Sequence, residues 1–379
     1  MNISKITKFG IASLLAGFAC GVAGADTNTD LQERLEAAEA RIAELSSSQD
    51  SNWLNDTRAD EIRSLVHDVL ADADNRASMQ GNGSPVTVNV HGFMQFRWDY
   101  NHNATDGVDN THGFSVPHTR LEFSGDVYSW NYKVSGQWDD GAAFNLLDAY
   151  AEKGGFRFGQ FKSPFLKEVL TNQTDTLAVD RSVIAQQFGQ GRSQGVQYGY
   201  NFANNLTFTG AYTDGFNTAN GAGVVNGYAV TGRVDYSGDW LDLGFAASHN
   251  NLDTTDFNTW TVDASTSWNN FEVGGAYVKQ TGDASGENWG TTVYAKYDVR
   301  YGLDVFVQYE KGHLEGVATD LSIATVGFNY LINDNMKWTT DAGKSFNGID
   351  AGWNLNNTGW NATGTDGEYL IRSQLTVTF

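Results

Sequence analysis

The sequence predicts an all-β fold: a transmembrane antiparallel β-barrel of about 16 strands with an inward constriction loop, preceded by a short N-terminal α-helical coiled-coil segment. Three observations lead to this prediction. Apolar and polar residues alternate with a period of two along most of residues 85–379, which is typical of strands with two different faces. The chain begins with a secretory leader. It also contains 42 glycines but only 3 prolines, which suits a large sheet of paired strands.

Residues 1–25 are predicted to be a signal peptide. Lys5 and Lys8 precede an apolar stretch at 11–18, and a cleavage site of small residues ends at Ala25. The apolar stretch is far shorter than the ~20 residues that a spanning helix needs. The alternative is a lipid-anchored mature N-terminus at Cys20. Cleavage after Ala25 instead leaves a mature chain without cysteine, to which neither disulfide nor thiolate chemistry applies.

The formal net charge of -21 argues against nucleic acid as a partner, because phosphates need a basic surface. The mean hydropathy is -0.40, which is compatible with a membrane barrel because only every second residue meets lipid.

Residues 26–84 are predicted to form a helical, coiled-coil periplasmic segment followed by a flexible linker. Apolar residues recur here at steps of four and three, which gives two heptads; they are Leu31, Leu35, Ala38, Ile42 and Leu45. A second helical stretch is expected at about 57–73. Two interpretations remain open: an ordinary amphipathic helix pair, or a stalk held together because its three copies are attached to a trimeric barrel.

From residue 86 the alternation predicts about sixteen strands, at 86–99, 116–126, 130–139, 145–153, 155–162, 194–201, 205–213, 227–236, 240–249, 258–268, 271–280, 290–299, 303–311, 320–330, 335–343 and 368–379. Their lengths cluster near the ~9–11 residues with which a tilted strand crosses a bilayer. Lipid cannot satisfy an open sheet edge, so the strands must close into a ring. A ring of this size leaves a water-filled lumen, which accounts for the polar faces. A secreted β-sandwich or β-helix is the alternative.

One connection is much longer than the others, between the strands predicted at 155–162 and 194–201. It follows Gly159-Gln160-Phe161-Lys162, continues through Pro164-Phe165, Glu168 and Leu170-Thr171, and then contains Asp180-Arg181-Ser182 and Gly191-Arg192 before Gly195-Val196. Loops of this length inside a compact fold are usually functional. These motifs resemble those of the phosphate-selective porin O/P family over about 40 residues, and the barrel architecture agrees over the rest.

The resemblance implies a trimeric channel in the bacterial outer membrane whose third loop folds inward and narrows the pore. On this analogy Lys162, Arg181 and Arg192 lie in or near the constriction, and the predicted set is completed by Lys167, Glu168 and Asp180. A cation in a narrow, partly dehydrated passage is poorly screened and can dominate permeation. The alternative is that Arg181 and Arg192 only attach the loop to acidic partners, of which Glu168 and Asp180 are the candidates.

The strand register also predicts which charges face the lumen. The inward bases are Arg97, Arg120, Lys133, Arg157, Arg233, Lys296 and Arg372, and the inward acids are Asp99, Glu122, Asp126, Asp235, Asp242, Asp263, Glu272, Asp298, Asp304 and Glu310. Acids outnumber bases by ten to seven, so a general or mildly cation-favouring pore is as compatible with this count as an anion channel.

No sequence motif points to catalysis, to a metal or to a cofactor. The function predicted is therefore an outer-membrane porin through which small hydrophilic solutes or ions, including anions such as phosphate, diffuse passively. The predicted partners are outer-membrane lipid and two further copies of the chain. A second function remains open, in which the coiled coil tethers the barrel to the cell wall or to a periplasmic partner.

Overall fold

The computed structural model describes residues 36, 39, 40 and 86–379, except 104, 106–108, 140–142, 222–225, 253–254, 283–285 and 363. The chain divides into two compact units, residues 1–78 and 79–379. In the first unit Glu36, Glu39 and Ala40 are helical. The predicted signal peptide and almost all of the predicted coiled coil lie outside the described residues, so both stay predictions. No helix among the described residues is long and apolar enough to cross a membrane.

The second unit is a sheet of antiparallel strands that closes on itself, because the first strand pairs with the last. The strands are β1 (Asn89–His102), β2 (Thr111–Ser115), β3 (Thr119–Val127), β4 (Trp130–Trp138), β5 (Asn145–Lys153), β6 (Phe156–Lys162), β7 (Arg192–Ala203), β8 (Leu206–Thr213), β9 (Gly227–Ser237), β10 (Leu241–Leu252), β11 (Thr255–Trp268), β12 (Phe271–Gly282), β13 (Gly286–Arg300), β14 (Leu303–His313), β15 (Leu321–Asn333), β16 (Met336–Ser345) and β17 (Tyr369–Thr378).

Seventeen strand segments fill sixteen positions of the barrel, because β2 and β3 both pair with β1. β3 pairs with the first half of β1, and β2 pairs with its second half. Residues 116–118 lie between β2 and β3 and interrupt what is otherwise one strand. The predicted closed antiparallel β-barrel and the predicted count of about sixteen strands are therefore confirmed. The prediction of one strand at 116–126 missed the interruption, and several strands begin earlier than predicted, such as β13 at Gly286.

The barrel has one end with short turns and one with long loops. A tight hairpin joins β5 to β6, for example, and its Gly154 and Gly155 have positive φ angles of 60° and 86°, which the hairpin requires. Two connections at the opposite end are long: the β6–β7 loop (residues 163–191) and the β16–β17 loop (residues 346–368). The first contains helix α1 (Lys167–Leu170), a 3-10 helix (Gln173–Asp175) and helix α2 (Val183–Phe188).

The alternation of the strands separates an exposed apolar outer face from a polar inner face. In β14, Val305 and Val307 are exposed on the outside, whereas Gln308 and Glu310 are buried on the inside. The apolar core lies inside the barrel, where the two long loops pack together against the inner wall. Its members are Phe165, Leu166, Val183, Ile184, Phe188, Ala246, Val278, Leu314, Leu321, Ile323, Ile349, Trp353, Trp360 and Leu370.

Candidate functional site

The β6–β7 loop folds into the barrel and lies across its interior. Near its start, the carbonyl of Phe165 accepts a hydrogen bond from Arg233 on β9 at 2.6 Å. Further along, the carbonyl of Leu177 accepts one from Asn329 on β15 at 3.0 Å. Helix α2 contacts β13 and β14. These contacts show that the loop folds inward, as predicted.

A buried ion pair anchors the middle of the loop. Arg97 on β1 contacts Asp180 at 3.0 Å, and both side chains are less than 5% exposed. The Arg97 guanidinium also donates to Gln374 on β17 and to the carbonyl of Asn357 in the β16–β17 loop. Asp180 additionally accepts a hydrogen bond from Gln173. One arginine therefore connects the wall to both inward loops.

The charge of Asp180 controls this anchor. Burial alone would raise the pKa of Asp180, but the positive charge of Arg97, with that of His118 and Arg372, holds it below the ordinary value of 3.8. A carboxyl group whose pKa is depressed on folding stabilises the folded state above its unfolded pKa. That contribution disappears as the pH falls through the lower, folded value.

We therefore expect acidification well below pH 3.8 to loosen the loop and to increase the current noise of single open channels, measured in planar bilayers at pH 6 and at about pH 2. Asp180→Asn should be noisy at both pH values, whereas the exposed Asp175→Asn in the same loop should behave like the unmodified chain. Equal noise at both pH values in the unmodified chain would show that the anchor does not hold the loop.

Four basic side chains come together where the loop meets the wall: Arg120 on β3, Lys162 at the end of β6, Arg192 at the start of β7, and Arg181 in the loop. Lys162 and Arg192 are directly paired in the β6–β7 register. Arg120 is in electrostatic range of Arg192 and Arg181, and Lys162 is in range of the other three. Three of these four were predicted for the constriction, and Arg120 was predicted for the pore lining.

In this group of basic side chains, called the basic cluster below, the one ion pair among the described residues joins Arg192 to Asp148. Arg192 donates to Asp148 on β5 at 2.7 and 3.2 Å, and Ser135 donates to the same carboxylate. Arg120 donates to Gln137, a neutral partner. The basic side chains of the cluster therefore outnumber the carboxylates that they contact directly.

Arg181 is held by the loop itself. Its guanidinium donates to the carbonyls of Glu168 and Thr171 and to the side chain of Gln173. Burial lowers the pKa of Arg181, and the like charge of Arg192 lowers it further. The negative charges of Asp180 and Glu168 oppose this shift.

The suggested ion pairs of Arg181 and Arg192 with Glu168 and Asp180 are wrong. Asp180 pairs with Arg97, and Arg192 pairs with Asp148. Glu168 instead accepts hydrogen bonds from the backbone and hydroxyl of Ser182, the residue that caps α2. Burial raises the pKa of Glu168 although these hydrogen bonds oppose the shift.

The other predicted site residues lie apart from the basic cluster. Lys167 is half-exposed and points to Ser265 on the opposite wall at 3.4 Å. Arg97 and Arg233 face inward as predicted, but they are 3% and 2% exposed because the loop covers them. Lys133 and Arg157 remain partly exposed in ion pairs with Glu122 and Glu152 respectively.

Inward acids are largely neutralised by near neighbours. Asp235 and Asp263 pair with Arg233 at 2.6 and 2.9 Å, and Glu272 pairs with Lys296 at 2.9 Å. Arg372 pairs with Asp341, which was not among the predicted acids. Because these pairs neutralise bases as well as acids, the sequence count of ten acids to seven bases does not give the charge that a solute meets at the basic cluster.

A cavity of about 500 Å³ lies on the other side of the β6–β7 loop, near the short-turn end. Its charged lining is mixed and includes Lys167, Lys296, Lys337, Asp175, Asp242, Asp263, Glu272 and Asp304. Among the described residues, no three His, Cys, Asp or Glu side chains are placed to hold a metal ion. The basic cluster and this mixed cavity are thus two electrostatically different surfaces on the two sides of one loop.

The family model for phosphate-selective porin O and P matches residues 90–270, which include the basic cluster. The resemblance seen in the sequence is confirmed: the chain is an outer-membrane porin. It forms a water-filled channel for passive diffusion across the bacterial outer membrane, and its long-loop end is the one that such barrels present to the outside.

Solved structures share the fold of this porin. An anion-selective porin from Comamonas acidovorans is 15% identical and has a TM-score of 0.61, with 78% of this chain and 100% of that chain covered. OmpF of Salmonella typhi, in complex with daunomycin, is 14% identical with a TM-score of 0.60, covering 78% and 98%. OmpT of Vibrio cholerae, in its trimer form, is 12% identical with a TM-score of 0.54, covering 78% and 99%. No curated protein sequence matches the porin significantly.

Proposed function

We propose that this porin is an anion-selective channel for small hydrophilic solutes, including inorganic oxyanions such as phosphate, and that the basic cluster sets the selectivity. The observation that carries the proposal is the proximity of Arg120, Lys162, Arg181 and Arg192 to one another, with Asp148 as the one carboxylate in an ion pair with them among the described residues. Three of the four are guanidinium groups, which stay charged in proteins and suit planar recognition of oxyanions.

The physical basis is the position of the charge. Helix α2 and the apolar core occupy the interior at the long-loop ends of β13 and β14, so we place the passage for solutes on the other side of the lumen, beside the basic cluster. Charges in such a narrow passage are screened less than charges on an open surface. An entering anion is therefore stabilised and an entering cation is repelled at the same point.

Transport needs no cofactor and no catalytic step in this proposal, because the solute gradient drives the flow. The comparison with an anion-selective porin is compatible with the proposal, but at 15% identity it supports the fold alone.

We also propose that the channel is a homotrimer. β3–β6 are 7–9 residues long, whereas β10–β13 are 12–15 residues long, so one side of the barrel is much lower than the other. We expect the side of the barrel with the shorter strands to face the neighbouring subunits of the trimer. The tether to the cell wall through the segment 26–84 stays a prediction from the sequence.

The zero-current potential of the purified porin in a planar bilayer, under a gradient of KCl, tests the proposed selectivity. We expect a potential of the sign that anion permeation gives, because chloride meets the same cations as any other anion. A cation-selective or zero potential would contradict the proposal and would mean that the acids of the mixed cavity control permeation.

A further inference from the structure

Three lysines occupy equivalent places on the outer face of the barrel. Lys279 is the ninth residue of β12, Lys311 the ninth of β14 and Lys344 the ninth of β16. Each of these strands starts at the short-turn end, so equal distance along the strand places the three lysines at one level of the barrel. They lie on every second strand, so neighbouring lysines are roughly 10 Å apart.

All three lysines point away from the lumen. Lys311 and Lys344 are exposed, and the residues on either side of each are buried on the inner face. Lys279 shares its face with Tyr277 and Phe271, and its side chain is 28% exposed. These cations therefore take no part in the channel, whose charges lie on the opposite face of the same strands.

An aromatic belt marks the level of the lysines in the membrane. Tyr277 lies two residues before Lys279 and contacts the rings of Trp260 at 5.3 Å and Trp289 at 6.4 Å. Tyr and Trp side chains concentrate where the hydrocarbon meets the headgroups. Trp260 and Trp289 are the direct register partners of Lys279, so the lysines lie at the level of this belt, next to the headgroups of the outer leaflet.

Their charge has little to compensate it within the chain. Lys311 and Lys344 have no ion-pair partner among the described residues, and Lys279 pairs with Glu287, which is 72% exposed, at 3.1 Å. The chain as a whole carries a formal charge of -21, so a group of three outward lysines at one level is opposite in sign to the net charge of the chain.

The row occupies one half of the barrel. In the described parts of β1–β9, the one lysine or arginine on the outer face is Lys153, at the short-turn end of β5. The half with the lysines also has the longest strands, as expected of the wall that faces lipid rather than a neighbouring subunit.

We propose that Lys279, Lys311 and Lys344 form a binding row for the phosphate groups of phosphorylated lipid headgroups in the outer leaflet. Lysines at this depth extend their ammonium groups to the headgroup level while their methylene chains stay against the apolar wall. A headgroup with two phosphates can contact two neighbouring lysines at once. Basic residues near a membrane surface attract anionic lipid with about 1 kcal/mol each.

Native mass spectrometry of the detergent-purified porin, mixed with a bisphosphorylated lipid A or with the same lipid after enzymatic dephosphorylation, tests the proposal. We expect the bisphosphorylated lipid to bind the unmodified porin more tightly, and Lys311→Gln with Lys344→Gln to weaken this binding by about tenfold. The matched control is Lys153→Gln with Arg300→Gln, which removes the same charge at the short-turn end and should leave the binding unchanged.

Equal binding of the phosphorylated and dephosphorylated lipids to the unmodified porin would overturn the proposal, and this comparison needs no variant to fold. Equal losses in the test and control variants would overturn it as well, because net charge rather than the lysine row would then decide. Resistance of each barrel to trypsin verifies folding. Neither pair of substitutions touches the lumen, so the zero-current potential should not change.

Discussion

Arg120→Gln combined with Arg192→Gln is expected to reduce the anion-to-cation permeability ratio by about tenfold or more. The double substitution removes two of the four cations of the basic cluster and leaves Asp148 without its guanidinium partner. A unit charge at roughly 8 Å in a medium of effective dielectric constant about 20 contributes on the order of 2 kcal/mol, which is enough for this change. The permeability ratio is obtained from the zero-current potential in a KCl gradient.

The matched control is Arg157→Gln. This arginine also faces the lumen on β6, but it pairs with Glu152 near the short-turn end, away from the basic cluster. We expect a change of less than about twofold, because Arg157 lies at the other end of β6 from Lys162 and its charge is screened by water and salt over that distance. If Arg157→Gln shifts the potential half as much as the double variant, which removes twice the charge, the total charge of the lumen sets the selectivity. If neither variant shifts the potential, the basic cluster has no part in the selectivity.

The strands of this porin could be predicted from sequence because lipid and water impose opposite demands on alternate residues. In β14 the exposed Val305 and Val307 and the buried Gln308 and Glu310 follow the alternation directly. The same alternation would have identified Asp148, which shares the inner face of β5 with Tyr150 and Glu152, and it would have placed Asp341 on the inner face of β16.

The arrangement of the loops could not be read from the sequence in the same way. Asp180 meets Arg97, which is 83 residues away, and the backbone of Val179 donates to Asp341, which is 162 residues away. No local pattern indicates such pairings, so Glu168 and Asp180 were assigned to the wrong partners. The inward fold of the β16–β17 loop was missed too, although its length and its apolar Trp353 and Trp360 were available as signals.

Two facing glycines explain how α2 lies so close to the wall. Gly290 on β13 and Gly312 on β14 are paired in register, and both face inward. A Cβ atom on Gly312 would lie 2.6 Å from the ring of Trp353 and 2.8 Å from Ile184. A Cβ atom on Gly290 would lie 2.7 Å from Ile184. The two glycines therefore leave a flat patch on the inner wall, called the seat below, against which α2 packs. The side chain of a larger residue would fill the space that α2 now occupies.

Gly312→Val is expected to lower the single-channel conductance. The added side chain must displace Ile184 and Trp353, since inserting methyl groups into a packed core costs about 1–3 kcal/mol. The wall behind the seat is a continuous hydrogen-bonded sheet, so α2 can move only toward the lumen. The passage beside the basic cluster then becomes narrower, and the size limit for uncharged sugars in liposome-swelling assays should fall together with the conductance.

Gly199→Val is the matched control for this seat. Gly199 lies in β7, and a Cβ atom there would meet no other atom within 4 Å. The same substitution in the same kind of element should therefore leave conductance and size limit unchanged. If Gly312→Val conducts like the unmodified porin, then α2 does not border the passage and the constriction must be formed by α1 and the 3-10 helix alone. If the conductance of Gly312→Val rises, the β6–β7 loop has left the lumen. Packing of α2 on the seat would then hold the whole loop in place and not only this helix.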